Sequence, residues 1–111
     1  MGSYQVDRKQ WARLSINEQM GNIGSEVGRA IKARRAGEEG RVQGAIDRAL
    51  DLFDATTEVL VARKSYRVRE VLRAREEFLR LFYDGTFDDD ADNIERYFMW
   101  FACAARARHA A

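Results

Sequence analysis

Proline is absent from all 111 residues, so nothing in the chain forbids long uninterrupted helices. Cysteine occurs once, at Cys103. One cysteine excludes an internal disulfide and any cysteine-based zinc site, and it fits a reducing, cytoplasmic setting. Histidine also occurs once, at His109. A single histidine cannot supply the paired E-x-x-H ligands of carboxylate di-metal bundles or an H-E-x-x-H motif. No arginine stands five to seven residues before it, as the R-x4-6-H element of helical ribonucleases requires. There is no P-loop and no G-x-S-x-G elbow. Catalysis, a bound metal and a cofactor are therefore not expected. Charge of one sign is lacking too: 19 Lys and Arg against 18 Asp and Glu leave a net +1 and no global field toward nucleic acid or an anionic membrane. No run of 18 apolar residues suggests a membrane span, and no N-terminal apolar segment suggests secretion.

What the chain does contain is YFMWFACAA, Tyr97 to Ala105, an uncharged stretch in a sequence that is 33% charged. At about 100° per residue, Ile94, Tyr97, Phe98, Phe101, Ala104 and Ala105 fall on one helical stripe. Met99, Ala102 and Cys103 point away from it, and Trp100 lies at its border. A helix apolar on two sides is buried on both, as the central helix or with a second molecule behind it.

Ahead of it, three more helices can be read. Ser15-Ile16-Asn17-Glu18 is an S-x-x-E capping box, which opens a first helix bearing Ile16, Met20, Ile23, Val27, Ala30 and Ile31 at spacings of three and four, with Gly37 as its stop. The second begins near Glu38 or Arg41 and turns Val42, Ala45, Ile46, Ala49, Leu52, Phe53, Thr56 and Leu60 inward. Its end falls somewhere within Thr56 to Ala62. The third runs from Ser65 to Tyr83 with Val68, Val71, Leu72, Phe78, Leu79 and Phe82 inward. The fourth is capped by one of Asp88 to Asp90 and closed by Arg106, Arg108 and His109, which suits the helix dipole at both ends. The pattern predicts an all-α chain: an N-terminal arm over residues 1–14, extended or loosely docked through Trp11, and an antiparallel four-helix bundle over 15–111 that pairs as a dimer.

Three groups of residues invite a functional reading. Gly21, Gly24 and Gly28 form a lane beside the first helix's apolar stripe, each costing about 1 kcal/mol relative to alanine, so a close helix crossing should offset them. With Met99, Trp100 and Cys103 they are the interface candidates. Arg75 lies within the third helix's apolar stripe and needs a carboxylate partner, for which Glu26 is the best placed. Asn22, Arg29 and Arg48 border that pair, so the group is either a structural ion pair or a polar pocket for an anion or nucleotide fragment. Residues 63–80 carry seven cations against three carboxylates, and Arg69, Arg73 and Arg80 share one outer lane that could meet a phosphate backbone. The same lane suits i to i+4 ion pairs on a solvated face. The acidic run Asp84, Asp88, Asp89, Asp90 and Asp92 lacks calcium-loop spacing and reads as helix capping.

Asn22-Ile23-Gly24-Ser25-Glu26-Val27 with Arg29-Ala30-Ile31, then Arg48-Ala49-Leu50, Arg75-Glu76, Tyr97-Phe98, Phe101 and Ala104-Ala105-Arg106, resemble a group of short prokaryotic all-helical proteins. The resemblance spans about residues 15 to 108 and implies the fold, without an activity. The chain departs from that group at TTEVLVARKSY, where a shorter turn is expected. The functional expectation is a non-catalytic cytoplasmic protein that associates with itself or with a protein partner. The alternative is an accessory nucleic-acid-binding protein using the third helix. Membrane association is not expected, because Glu18, Glu26, Arg29 and Lys32 interrupt the glycine-bearing helix.

Overall fold

The computed structural model describes residues 5–110, with side chains as far as residue 107. Its regular structure is five helices: α1 (Arg8–Arg13), α2 (Ile16–Arg35), α3 (Glu39–Ala62), α4 (Val68–Tyr83) and α5 (Phe87–Ala110). No strand occurs among the described residues. None of these helices is long and apolar enough to cross a membrane.

Local chemistry sets most boundaries. At the start of α2, Ser15 Oγ accepts from the Glu18 N–H at 3.1 Å and the Glu18 carboxylate accepts from the Ser15 N–H at 2.8 Å. Its end is set by Gly37, whose φ of +73° lets the Glu38 N–H reach back to the Ala33 carbonyl at 2.9 Å. The end of α3 uses the same device, with Lys64 at φ 54° and the Ser65 N–H donating to the Leu60 carbonyl at 2.9 Å. Val59 to Ala62 therefore stay helical, and the second helix extends to the far limit of its expected range.

α2 lies between α3 and α5; α3 also meets α1 and α4, and α4 closes against α5. The core runs through Ile23, Val27, Ile46, Phe53 and Phe78, all fully buried. Phe53 ties three helices together, its ring 6.0 Å from Phe78 on α4 and 6.0 Å from Phe98 on α5.

Expectations for three elements are corrected. From residue 5 onward the N-terminal arm is neither extended nor loose: Asp7 accepts from the Lys9 and Gln10 N–H groups and starts α1, which buries Trp11, the expected anchor. Trp11 Nε1 donates to Thr56 Oγ1 at 2.9 Å, the Thr56 hydroxyl donates to Gln19 Oε1 at 2.9 Å, and Gln19 Nε2 donates to the Trp11 carbonyl at 3.1 Å. Each buried polar group in that ring satisfies another, which is why Gln19 and Thr56 tolerate complete burial. The arm is further held by Arg8, 2.9 Å from Asp51.

On α4 the buried stripe is Val71, Ala74, Phe78 and Leu81. It is rotated away from the expected one, so Leu72 faces solvent and Arg75 moves to the flank. α5 starts at Phe87, placing Asp88, Asp89 and Asp90 in its first turn, where they favour the helix dipole without capping it. This helix buries Ala91, Ile94, Phe98 and Phe101 but leaves Met99 57% and Trp100 62% exposed, so it is not a central helix. The closing Arg108 and His109 side chains lie outside the described residues.

Candidate functional site

Glycine sets how closely α2 and α5 cross. A Cβ on Gly24 would stand 2.7 Å from Phe98 Cβ, and one on Gly21 would stand 3.2 Å from Ala102 Cα. Two of the three lane positions are thus filled by the chain's own last helix. Gly28 differs, with nothing within 4 Å of its Cβ position. Beside the crossing, Gly21, Gly24 and Gly28 face Glu95, Met99 and Ala102 across a groove of about 170 Å³. Met99 forms one wall of it. Trp100 is the adjacent exposed residue on α5, edge-on to Phe101 with ring centroids 5.0 Å apart, and the exposed Cys103 follows one turn later. The lane and Met99, read separately in the sequence, line one groove, while Trp100 and Cys103 lie outside its lining.

The polar cluster is partly rearranged. Glu26 is nearly buried, and it pairs with Arg29 and accepts from Arg48 Nε at 2.8 Å. Arg75 is not its partner; the Arg75 Nε lies 3.3 Å from Asp54 Oδ1, a charge contact without hydrogen-bond alignment. The rotation of the α4 stripe explains this, because it turns residue 75 toward the α3 flank that carries Asp54. Asn22 is exposed on α2. Of the five pocket candidates, Glu26, Arg29 and Arg48 come together. Arg29 and Arg48 also line a feature the sequence reading did not single out, a groove of about 590 Å³ between α2 and α3 that they share with Lys32, Arg41, Gly40 and Gly44. The repeat of Gly40, Gly44 and Arg48 at i, i+4 and i+8 was its only signal.

The basic lane of α4 is largely neutralised by its neighbours. Arg80 lies 3.0 Å from Glu76 and 4.0 Å from Asp84, and Arg73 lies 3.6 Å from Glu77. Arg69 has no such partner among the described residues and, with Arg73, Ile94, Tyr97 and Phe98, lines a groove of about 480 Å³ between α4 and α5. There the Tyr97 hydroxyl donates to Glu70 at 3.1 Å. Burial first, and then the Glu70 charge, push the phenol's pKa above its ordinary value, so Tyr97 stays a neutral donor. No sequence pattern marks this latch, which joins residues on two helices. Among the described residues no group of three or more His, Cys, Asp or Glu gathers to hold a metal.

Compared with family models, curated proteins and solved structures, the chain matches none.

Proposed function

We propose that α2 to α5 form an antiparallel four-helix bundle of a non-catalytic cytoplasmic protein, and that it acts by pairing with a second copy of itself through the α2–α5 face. The reading rests on one observation: an exposed apolar side chain, Met99, lines the same groove as Gly28, whose Cβ position is unfilled, and the exposed Trp100 follows it on α5. A two-fold interface requires a patch complementary to itself, and a hollow next to a projection meets that requirement, each copy's Met99 entering the other's hollow. Gly28 costs its helix about 1 kcal/mol relative to alanine, and within one chain nothing packs there to offset it. Tryptophan and methionine are also among the residue types enriched in the dry centre of interfaces.

Light scattering on the wild type, Met99→Glu and Gly28→Leu tests this. The expected result is a dimeric wild type and two folded monomers. A wild type that stays monomeric at all concentrations contradicts the proposal. Gly24→Leu is unsuitable, because Phe98 already occupies its space and the fold itself would suffer.

One observation favours a second reading, an accessory nucleic-acid-binding role: Arg69, unpaired among the described residues, stands on the wall of a groove that also holds Tyr97. Titration of labelled RNA and duplex DNA at low salt checks it, and binding that is absent or insensitive to salt removes it.

A further inference from the structure

We propose that the α2–α3 groove is a receptor for a small phosphate-bearing anion, with Arg29, Lys32, Arg41 and Arg48 as its donors. Four cations line it, and only two carboxylates, Glu26 and Glu38, stand among them. The groove therefore keeps an excess of two positive charges in a chain whose net charge is +1. The arrangement of those charges is specific. Glu26 is held inside the packing and engages one edge of each of two guanidiniums, Arg29 from α2 and Arg48 from α3.

Each guanidinium has five N–H donors, so one carboxylate fixes the orientation of both forks and leaves most of their donors for the groove they line. The two glycines leave the groove uncrowded: the Gly44 Cβ position lies at ordinary contact distance, 3.4 Å, from an Arg48 Nη, and the Gly40 position is open. Lys32 is an exposed ammonium in the same groove, and its side chain makes no ion pair or hydrogen bond among the described residues. Arg41 stands at the rim, 3.1 Å from Glu38.

Two oriented forks and a free ammonium suit a phosphate, which offers three terminal oxygens and up to two charges, better than a carboxylate with two oxygens and one charge. No aromatic side chain lines the groove, so a ligand there is recognised by its charge and not by stacking of a base. A short, doubly charged or more highly charged anion is the chemistry that fits.

Isothermal titration of the full chain with pyrophosphate tests the proposal. The wild type is expected to bind saturably at one site. The double variant Lys32→Gln/Arg41→Gln alters two exposed side chains and should keep the fold while losing about tenfold in affinity per cation removed. Arg48→Gln should lose at least as much, with a thermal melt confirming that it folds; if it does not fold, the double variant still decides. Arg69→Gln, outside the groove, should bind as the wild type does. No saturable binding by the wild type, or equal binding by the double variant, overturns the proposal. A single-stranded RNA that binds more tightly than pyrophosphate and is lost in the same variants also overturns it, by assigning the groove to nucleic acid.

Discussion

Alanine at position 24 and alanine at position 28 should move stability in opposite directions, although the chemical change is identical and the sites are one turn apart on α2. Both substitutions gain about 1 kcal/mol of helix propensity. At Gly28 nothing lies within 4 Å of the new methyl group, so that gain is kept whole. In a domain of this size it raises Tm by about 4 °C. At Gly24 the methyl would sit 2.7 Å from Phe98 Cβ, inside the ordinary carbon–carbon contact of about 3.5–4.0 Å. Phe98 cannot yield easily: it is buried, with its ring 6.0 Å from Phe53 and 5.1 Å from Tyr97. Overpacking of this kind costs about 1–3 kcal/mol, so Gly24→Ala should lose up to about 2 kcal/mol net. Gly21, 3.2 Å from a backbone carbon of Ala102, should fall between the two. Urea denaturation at a concentration where the chain is monomeric measures all three. If Gly24→Ala were stabilised as much as Gly28→Ala, the close crossing of α2 and α5 would be refuted.

Three further outcomes are expected. Thr56→Val leaves Trp11 Nε1 and Gln19 Oε1 buried without partners and should cost about 2–4 kcal/mol in denaturant unfolding; a loss under about 0.5 kcal/mol would mean the ring contributes little. Glu26→Gln removes the charge that holds Arg29 and Arg48 together and should cost about 1–2 kcal/mol, with an unchanged Tm counting against the pairing. The Tyr97 phenol has a higher pKa folded than unfolded, so its contribution is fully present below the unfolded value of about 10 and is lost as pH rises beyond it. Stability should fall above about pH 10, Tyr97→Phe should flatten that fall, and an unaltered profile in the variant would show that Tyr97 is not the titrating group.

The sequence showed most clearly what is decided within a few residues. The Ser15 capping box, the left-handed stop at Gly37 and the inner face of α3 all depend on neighbours along the chain, and all appear where expected. α1 did not show, because its docking depends on Thr56, 45 residues from Trp11, and on Gln19, which no apolar pattern marks as buried. The direction α4 faces was also hidden. Leu72 and Arg75 flank a stripe whose centre is set by how α4 lies against α3, and small alanines at 74 and 91 carry less periodic weight than the leucine they displace. The glycine lane announced a close approach but not its occupant. A missing side chain records that space is needed, while the choice of Phe98 and Ala102 to fill it, and the hollow left at Gly28, belong to the packing. Arg75 likewise announced a need for a carboxylate without naming Asp54, and Arg48 was placed beside Glu26 only as a neighbour, because i to i+22 pairing has no local signature.

Pairing through the α2–α5 face is tested most directly at Cys103, the chain's single cysteine, which is exposed one turn beyond Met99. A nitroxide attached there, in protein whose mass is first checked by light scattering, gives the distance between two copies by pulsed dipolar spectroscopy. A two-fold axis beside Met99 predicts a separation shorter than the molecule's smallest extent of 25 Å. A separation beyond the longest extent of 37 Å, or no dipolar coupling between chains, would contradict the account.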